Sequence, residues 1–323
     1  MKYFAIALIA VMLVTAPLHA YIIQTIKAAD GSIVQFRWKS MPITWQMNST
    51  VGANVDTSSR SQEAAFQAAF GTWQGVSTAA VSFTETAPSA GLTAQCDGVN
   101  SVLTNLTAAQ FTALGISSAT VAFTASSVIQ SAGSISGCGS VTSADFAGQV
   151  LDADIIFNPT VPFTTSGSEV PGKFDIQSVA THEIGHLLGL DHSAQLMSAT
   201  MFWAGSPGFN FPKTLSADDI AGITAIYPKG TTTTTGSISG KVKTTGNAAV
   251  YGAAVVAVNA SGQPTGSAVT DVNGAYTITG LPAGTYTIYA QPLVGVMTPG
   301  NVYSLARTNP SASVNTSFAT RYH

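Results

Sequence analysis

Apolar residues in the first part of the chain come in short runs that suit strands. Residues 22–26, 34–38 and 42–47 predict three of them. The period then lengthens. Phe66, Phe70 and Trp73 stand at i, i+4 and i+7, so a helix is expected with these three as its buried stripe. Ser58 or Ser59 is the expected N-cap, and Glu63 falls in the first turn. Residues 81–86 alternate and predict a strand. Residues 87–148 are small and polar, and no period in them defines an element. Residues 151–157 alternate again, with Asp152 and Asp154 on one polar face of an expected strand.

Helical spacing returns at Asp175. Asp175 or Ser178 is the expected cap, and Gly189 the expected exit through a left-handed turn. A further helix is expected from Ser216, with Asp218 and Asp219 in its first turn and Pro228 as its stop. Residues 230–236 hold a run of threonines that can build no core, so they read as a linker. Beyond it, residues 237–243, 253–259, 267–270, 275–279 and 285–290 predict short strands. Turn residues such as Asn273-Gly274 separate them, as in a small β-sandwich. The expected division is a signal segment at 1–20, a first domain at 21–228, a linker at 229–236, a sandwich at 237–300 and a tail at 301–323. That tail is polar and reads either as disordered or as a partial strand set.

Composition narrows the class. Of 323 residues 46% are hydrophobic, enough for a large core, whereas only 8% are charged. The net charge of −3 gives no electrostatic case for a nucleic-acid partner. Lys2, the apolar run 3–14 and small Ala20 read as a secretory signal cleaved near Ala20, too short to span a bilayer. A retained anchor is the alternative. The product is therefore expected to be secreted or on the cell surface, without stable membrane insertion. In that oxidising setting Cys96 and Cys138 suggest a disulfide, two buried free thiols being the other reading.

The chemistry lies in His182-Glu-Ile-Gly-His186-Leu-Leu-Gly189-Leu-Asp-His192. Four residues apart on a helix, His182 and His186 share one face and can turn two imidazoles toward one ion. Gly189 permits the turn that brings His192 back to it. Three imidazoles leave the fourth position of a tetrahedral Zn2+ for water, the arrangement of a catalytic rather than a structural site. Glu183 stands beside the ion as general base. With 5 His and 30 Gly in the chain, the later Gly and His would both match by chance roughly once in 700 trials.

These residues resemble the metzincin pattern, an elongated zinc motif followed by a Met-turn. His192-Ser193 and residues 215–227 are similar to the matrixin branch. The resemblance covers roughly residues 33–228. It implies an α+β fold: a twisted, mixed five-stranded sheet with an active-site helix and a C-terminal helix, and a cleft under the sheet's edge strand. It implies a methionine beneath the imidazoles, Met201, with Met197 as a competitor. It implies that Asp218 and Asp219 brace the Met-turn or the mature N-terminus, unless they are simple first-turn acids. Asp152 and Asp154 would lie on the edge strand, where Ca2+ binding and a solvated strand face are the two readings. Phe202-Trp203 replaces the family's usual Tyr-Pro after the methionine, which alters the expected S1′ wall. No tyrosine stands two residues past Met201, so the tyrosine ligand of other metzincin branches is not expected, and no cysteine-switch segment is recognised.

Residues 236–242 and 270–289 resemble the carboxypeptidase-regulatory-like sandwich. That implies an accessory module with a surface for carbohydrate or protein, to which Tyr276, Tyr286 and Tyr289 would belong unless they are packing residues. The expected function is a zinc-dependent endopeptidase that hydrolyses a protein or peptide substrate with water activated by Glu183. The alternative is a surface adhesion protein that works through its sandwich over an inert zinc domain.

Overall fold

The computed structural model describes residues 21–193, 199–208, 213–230, 235–262, 264–294, 297–309 and 311–323. The signal segment, Met197 and most of the threonine run lie outside them.

Strands β1 (Thr25–Lys27) and β2 (Ile33–Gln35) pair antiparallel. Strand β3 (Ile43–Asn48) and the short β4 (Val55–Asp56) lead to helix α1 (Gln62–Gln74). The cap of α1 is Ser61, whose side chain accepts from Ala64 N, not Ser58 or Ser59. Ser58 N is bonded to Asp56 Oδ1 in the preceding turn, which delays the helix by a few residues. Phe66, Phe70 and Trp73 are buried as the period requires.

After β5 (Phe83–Ser89), the segment without a readable period holds β6 (Asn100–Leu103), α2 (Ala108–Ala113), β7 (Ala122–Val128), β8 (Gly133–Ser134) and β9 (Ser143–Ala144). A Cys96–Cys138 disulfide ties this stretch together. Strands β10 (Val150–Phe157), β11 (Phe163–Thr164) and β12 (Phe174–Asp175) follow, then helices α3 (Ile176–Leu187) and α4 (Ala217–Ile226).

The main sheet has the order β5-β3-β6-β10-β7. Its pairs are parallel except β10 with β7, which is antiparallel. Helices α1 and α3 pack together against it. Phe66 meets Phe157 at 5.5 Å between ring centroids, and Trp73 Nε1 donates to Thr181 O.

Strand β10 is therefore interior and β7 is the edge, contrary to the expected place of Asp152 and Asp154. Nor is their face solvated, since both residues are only 1% exposed. Alternation marks a polar face, but the neighbouring strand and its loop decide whether water reaches it. Here β6 and the loop entering it cover that face. Asp152 Oδ2 accepts from Gly98 N at 2.8 Å, and Asp154 Oδ1 from Ser101 N at 2.8 Å.

The second half is all β. Strands β13 (Gly236–Lys241) and β16 (Ala275–Leu281) form one sheet. Strands β14 (Ala254–Asn259), β15 (Pro264–Val269) and β17 (Tyr286–Gln291) form the other with β18 (Arg321–Tyr322), in the order β15-β14-β17-β18. Val255, Ala257, Ile278, Leu281 and Ile288 make its core. The tail is structured rather than disordered: a 3-10 turn (Pro299–Asn301), helix α5 (Tyr303–Thr308) and β18 all lie within or beside it. The whole is an α+β unit followed by a small β-sandwich.

Residues 21–24 run between the two parts. Tyr21 OH donates to Thr279 O at 2.7 Å, and Ser267 Oγ donates to Tyr21 O at 2.8 Å. Gly222 and Gly280 leave room for this ring. A Cβ at Gly222 would stand 3.0 Å from Tyr21 Cγ, and one at Gly280 would stand 2.7 Å from its hydroxyl.

Candidate metal centre

Helix α3 starts at Asp175, whose carboxylate accepts from Ser178 N at 2.9 Å. His182 and His186 project from the same face, their rings 4.7 Å apart. The chain leaves through Gly189 at φ +100°. Space as well as torsion demands glycine there, because a Cβ would lie 2.7 Å from Phe36 O. Beyond it, Asp191 N donates to Ile22 O and Gln24 N to Gly189 O, both at 2.8 Å, so the N-terminal segment holds the returning loop. His192 then faces the helix. One nitrogen from each of the three histidines lies within 4.8 Å of the others.

The second ring nitrogens define the tautomers. His182 Nδ1 is 2.7 Å from Thr200 O, His186 Nδ1 2.8 Å from Leu190 O, and His192 Nδ1 2.7 Å from Asn301 O. A carbonyl oxygen only accepts, so each Nδ1 carries the proton and each Nε2 keeps a lone pair. Burial pushes all three imidazoles below the usual range, His186 furthest and His192 to about 4, which keeps them neutral. His186 Nε2 and His192 Nε2 stand 3.2 Å apart, two lone pairs facing each other with no proton between. A cation among the three nitrogens resolves that repulsion, and an all-imidazole set suits zinc. The residues present fit the metal.

Glu183 is buried one step along the helix. Thr124 Oγ1, from edge strand β7, donates to Glu183 Oε2 at 2.7 Å. Burial raises the Glu183 carboxyl, while nearby His182 and the Thr124 bond pull it down. Glu183 lines a cleft of about 450 Å³ with His182 and His192. Its walls include residues 119–122, leading into β7, and Phe202 and Trp203.

Met201 is buried, its sulfur against Gly185 in the middle of α3. Its turn is held by Asp219, which accepts from Thr200 N at 2.9 Å and Met201 N at 3.1 Å and also caps α4 with Ser216. Asp218 accepts instead from Ser193 Oγ at 2.8 Å, just past the third histidine. Both acids thus do more than complement a helix dipole.

Asp152 and Asp154 lie apart from this site. Among the described residues, the histidines are the one group of three or more side chains placed to share an ion. Burial raises the Asp152 carboxyl to about 6. Burial, and then the charge of Asp152, raises Asp154 to about 8. A raised carboxyl costs nothing where both folded and unfolded states are protonated. Its penalty grows as pH climbs from the ordinary value of 3.8 and is complete above about 8. Asp154→Asn keeps an acceptor for Ser101 N and removes the charge. It is expected to raise stability by roughly 1–3 kcal/mol at pH 9 and by little at pH 4. Thermal melts at the two pH values measure this, and an equal effect at both would show that Asp154 ionises normally in the fold.

A mixed sheet whose edge strand borders a cleft, with a helix presenting His, Glu and His and a loop returning a third His, defines a metzincin-type α+β domain. Comparison with known proteins agrees. Residues 99–228 match the matrixin family, and residues 237–294 match the carboxypeptidase regulatory-like domain. The chain thus carries a matrixin domain followed by a carboxypeptidase regulatory-like domain. It is 45% identical over 60 residues to metalloendoproteinase 1 of Glycine max, covering 19% of each chain. It is 51% identical over 57 residues to metalloendoproteinase 1-MMP of Arabidopsis thaliana, 16% of this chain and 14% of that one. It is 34% identical over 92 residues to human matrix metalloproteinase-15, 28% of this chain and 13% of that one. The matches span less than a fifth of each relative's length.

Sequence reasoning missed Thr124, the three carbonyls behind the imidazoles and Tyr303, whose ring centroid is 4.9 Å from that of His192. A threonine in a featureless stretch and carbonyls common to every residue carry no local signal.

Proposed function

We propose that the chain is a secreted zinc metalloendopeptidase. His182, His186 and His192 hold the ion, Glu183 is the general base, and Met201 forms the floor beneath the imidazoles. The observation that carries this reading is the convergence of three Nε2 lone pairs beside a buried carboxylate at an open cleft. Zinc, when bound, acidifies water and polarises the scissile carbonyl. The chain's own residues do the rest. Three Nδ1–H bonds to carbonyls hold the rings in register. Glu183, oriented by Thr124 through Oε2, takes the water's proton as the carbonyl is attacked and delivers it to the leaving amine. The edge strand β7 offers backbone groups along which an extended peptide can lie. The substrate is a protein or peptide, with Phe202 and Trp203 shaping the wall where its side chain enters. Export through the first twenty residues accords with the disulfide. Among the described residues, no helix is long and apolar enough to cross a membrane.

The test is digestion of an unfolded protein by the full chain, with zinc content measured in parallel. Cleavage should stop with a chelator and return with added zinc, at about one ion per chain. Cleavage that survives complete zinc removal would sink the reading. Bound zinc without cleavage of any unfolded substrate would leave the inert-scaffold alternative standing.

A further inference from the structure

The segment after the sandwich does not stay beside it. The carbonyl that holds His192 belongs to Asn301, 109 residues further along the chain. Immediately before that histidine, the buried Asp191 carboxylate accepts from Tyr303 N at 3.0 Å, Ser304 N at 2.8 Å and Ser304 Oγ at 2.7 Å. It also accepts from His192 N at 2.8 Å. The Tyr303 ring packs on both His186 and His192, with centroids 5.2 and 4.9 Å away. Arg307 bonds to Gln24 Oε1, and Gln24 Nε2 donates to Leu190 O, the carbonyl that holds His186. Val302 and Leu305 are buried in a cluster with Ile22 and Tyr251, and Tyr251 OH donates to Leu305 O.

We propose that residues 299–308 are a built-in part of the metal centre. Asp191 clamps them, the Asn301 carbonyl orients His192, and Tyr303 walls the metal side of the cleft, so full metal affinity requires this segment docked. This rests on the three-histidine reading above. The segment acts as a wall and not a plug: the cleft of about 450 Å³ stays open with Gly300, Asn301 and Tyr303 in a lining that also includes residues 119–122. Its polar bonds run to His192 through the Asn301 carbonyl, to Asp191, and to Gln24, Thr25 and Tyr251. The regulatory-like module then serves as the anchor that delivers a positioning segment to its neighbour's site. Residues that orient a metal ligand from behind typically change affinity about 10- to 100-fold when lost.

The experiment is zinc affinity of the full chain by competition with a chromogenic chelator, for the parent, Asp191→Asn and Ser304→Ala. Asp191→Asn sets an amide N–H against the donors of Tyr303 or Ser304. Ser304→Ala removes one clamp donor and leaves residues 182–192 intact, so it answers the question even if the first variant folds poorly. The expected result is zinc binding weakened about 10- to 100-fold in the first and severalfold in the second, with circular dichroism of the second unchanged. Affinity in Ser304→Ala and in folded Asp191→Asn within twofold of the parent overturns the proposal. So does faster cleavage in either variant, which would make the segment an inhibitory plug. A parent chain that binds no zinc at all would remove the metal reading itself, a distinct result.

Discussion

Glu183→Gln is expected to lower the rate of peptide cleavage by roughly 10²- to 10⁴-fold while the protein still binds its zinc. The amide is nearly isosteric with the carboxylate, and its oxygen can accept the Thr124 hydroxyl as Oε2 does at 2.7 Å. The three imidazoles are untouched, since their Nδ1 protons go to Thr200, Leu190 and Asn301. What disappears is the ability to take a proton from water and return it to the amine. The fold should not suffer, because burial already disfavours the charged carboxylate that the substitution removes. Turnover on an unfolded substrate, zinc per chain and melting temperature measured together separate the outcomes. Turnover within threefold of the parent would place the base elsewhere. Loss of zinc would make Glu183 a ligand.

Asp219→Ala is expected to be the most damaging substitution outside the histidines and Glu183. Asp219 is fully buried and accepts from Thr200 N, Met201 N, Ser216 N and Ser216 Oγ. Removing it strands two buried amides of the methionine turn and removes the reciprocal half of the α4 capping box, leaving only the Ser216 hydroxyl on the backbone of residue 219. At roughly 1–3 kcal/mol for each unsatisfied buried group, the loss should total about 3–5 kcal/mol. For a domain of this size that is a fall in melting temperature on the order of 10 °C. The damage should reach the metal as well, because Thr200 O holds His182. Zinc affinity is therefore expected to fall together with stability, whereas Glu183→Gln changes neither. A melting temperature within 2 °C of the parent would show that the turn is held by other contacts.

Much of the site was legible because its spacing is local. Four residues of helix set His182 against His186 whatever the rest of the chain does. Gly189 announced the exit, and Asp175 and Ser216 announced the helix starts, because caps act over three residues. The stripe Phe66, Phe70 and Trp73 was readable for the same reason. The cap of α1 was misplaced by two or three residues, because Ser58, Ser59 and Ser61 differ only in which of them the preceding turn leaves available.

Tertiary structure decided what no local period can carry. The alternation around Asp152 and Asp154 predicted a polar face. That β10 is flanked by β6 and β7, and so buries both acids, depends on strands about 50 and 25 residues away. Thr124 became the partner of Glu183 only because β7 forms the sheet edge over α3. The tail reads in sequence as polar, either disordered or a partial strand set, yet in the fold it places the Asn301 carbonyl and the Tyr303 ring against the three-histidine cluster. The sequence by itself determined which side chains could bind metal and move protons, because helix geometry and side-chain chemistry are short-ranged. Only the tertiary structure decided which carbonyls, strands and distant residues hold them, because those contacts arise from packing, and a backbone oxygen has no letter in the sequence.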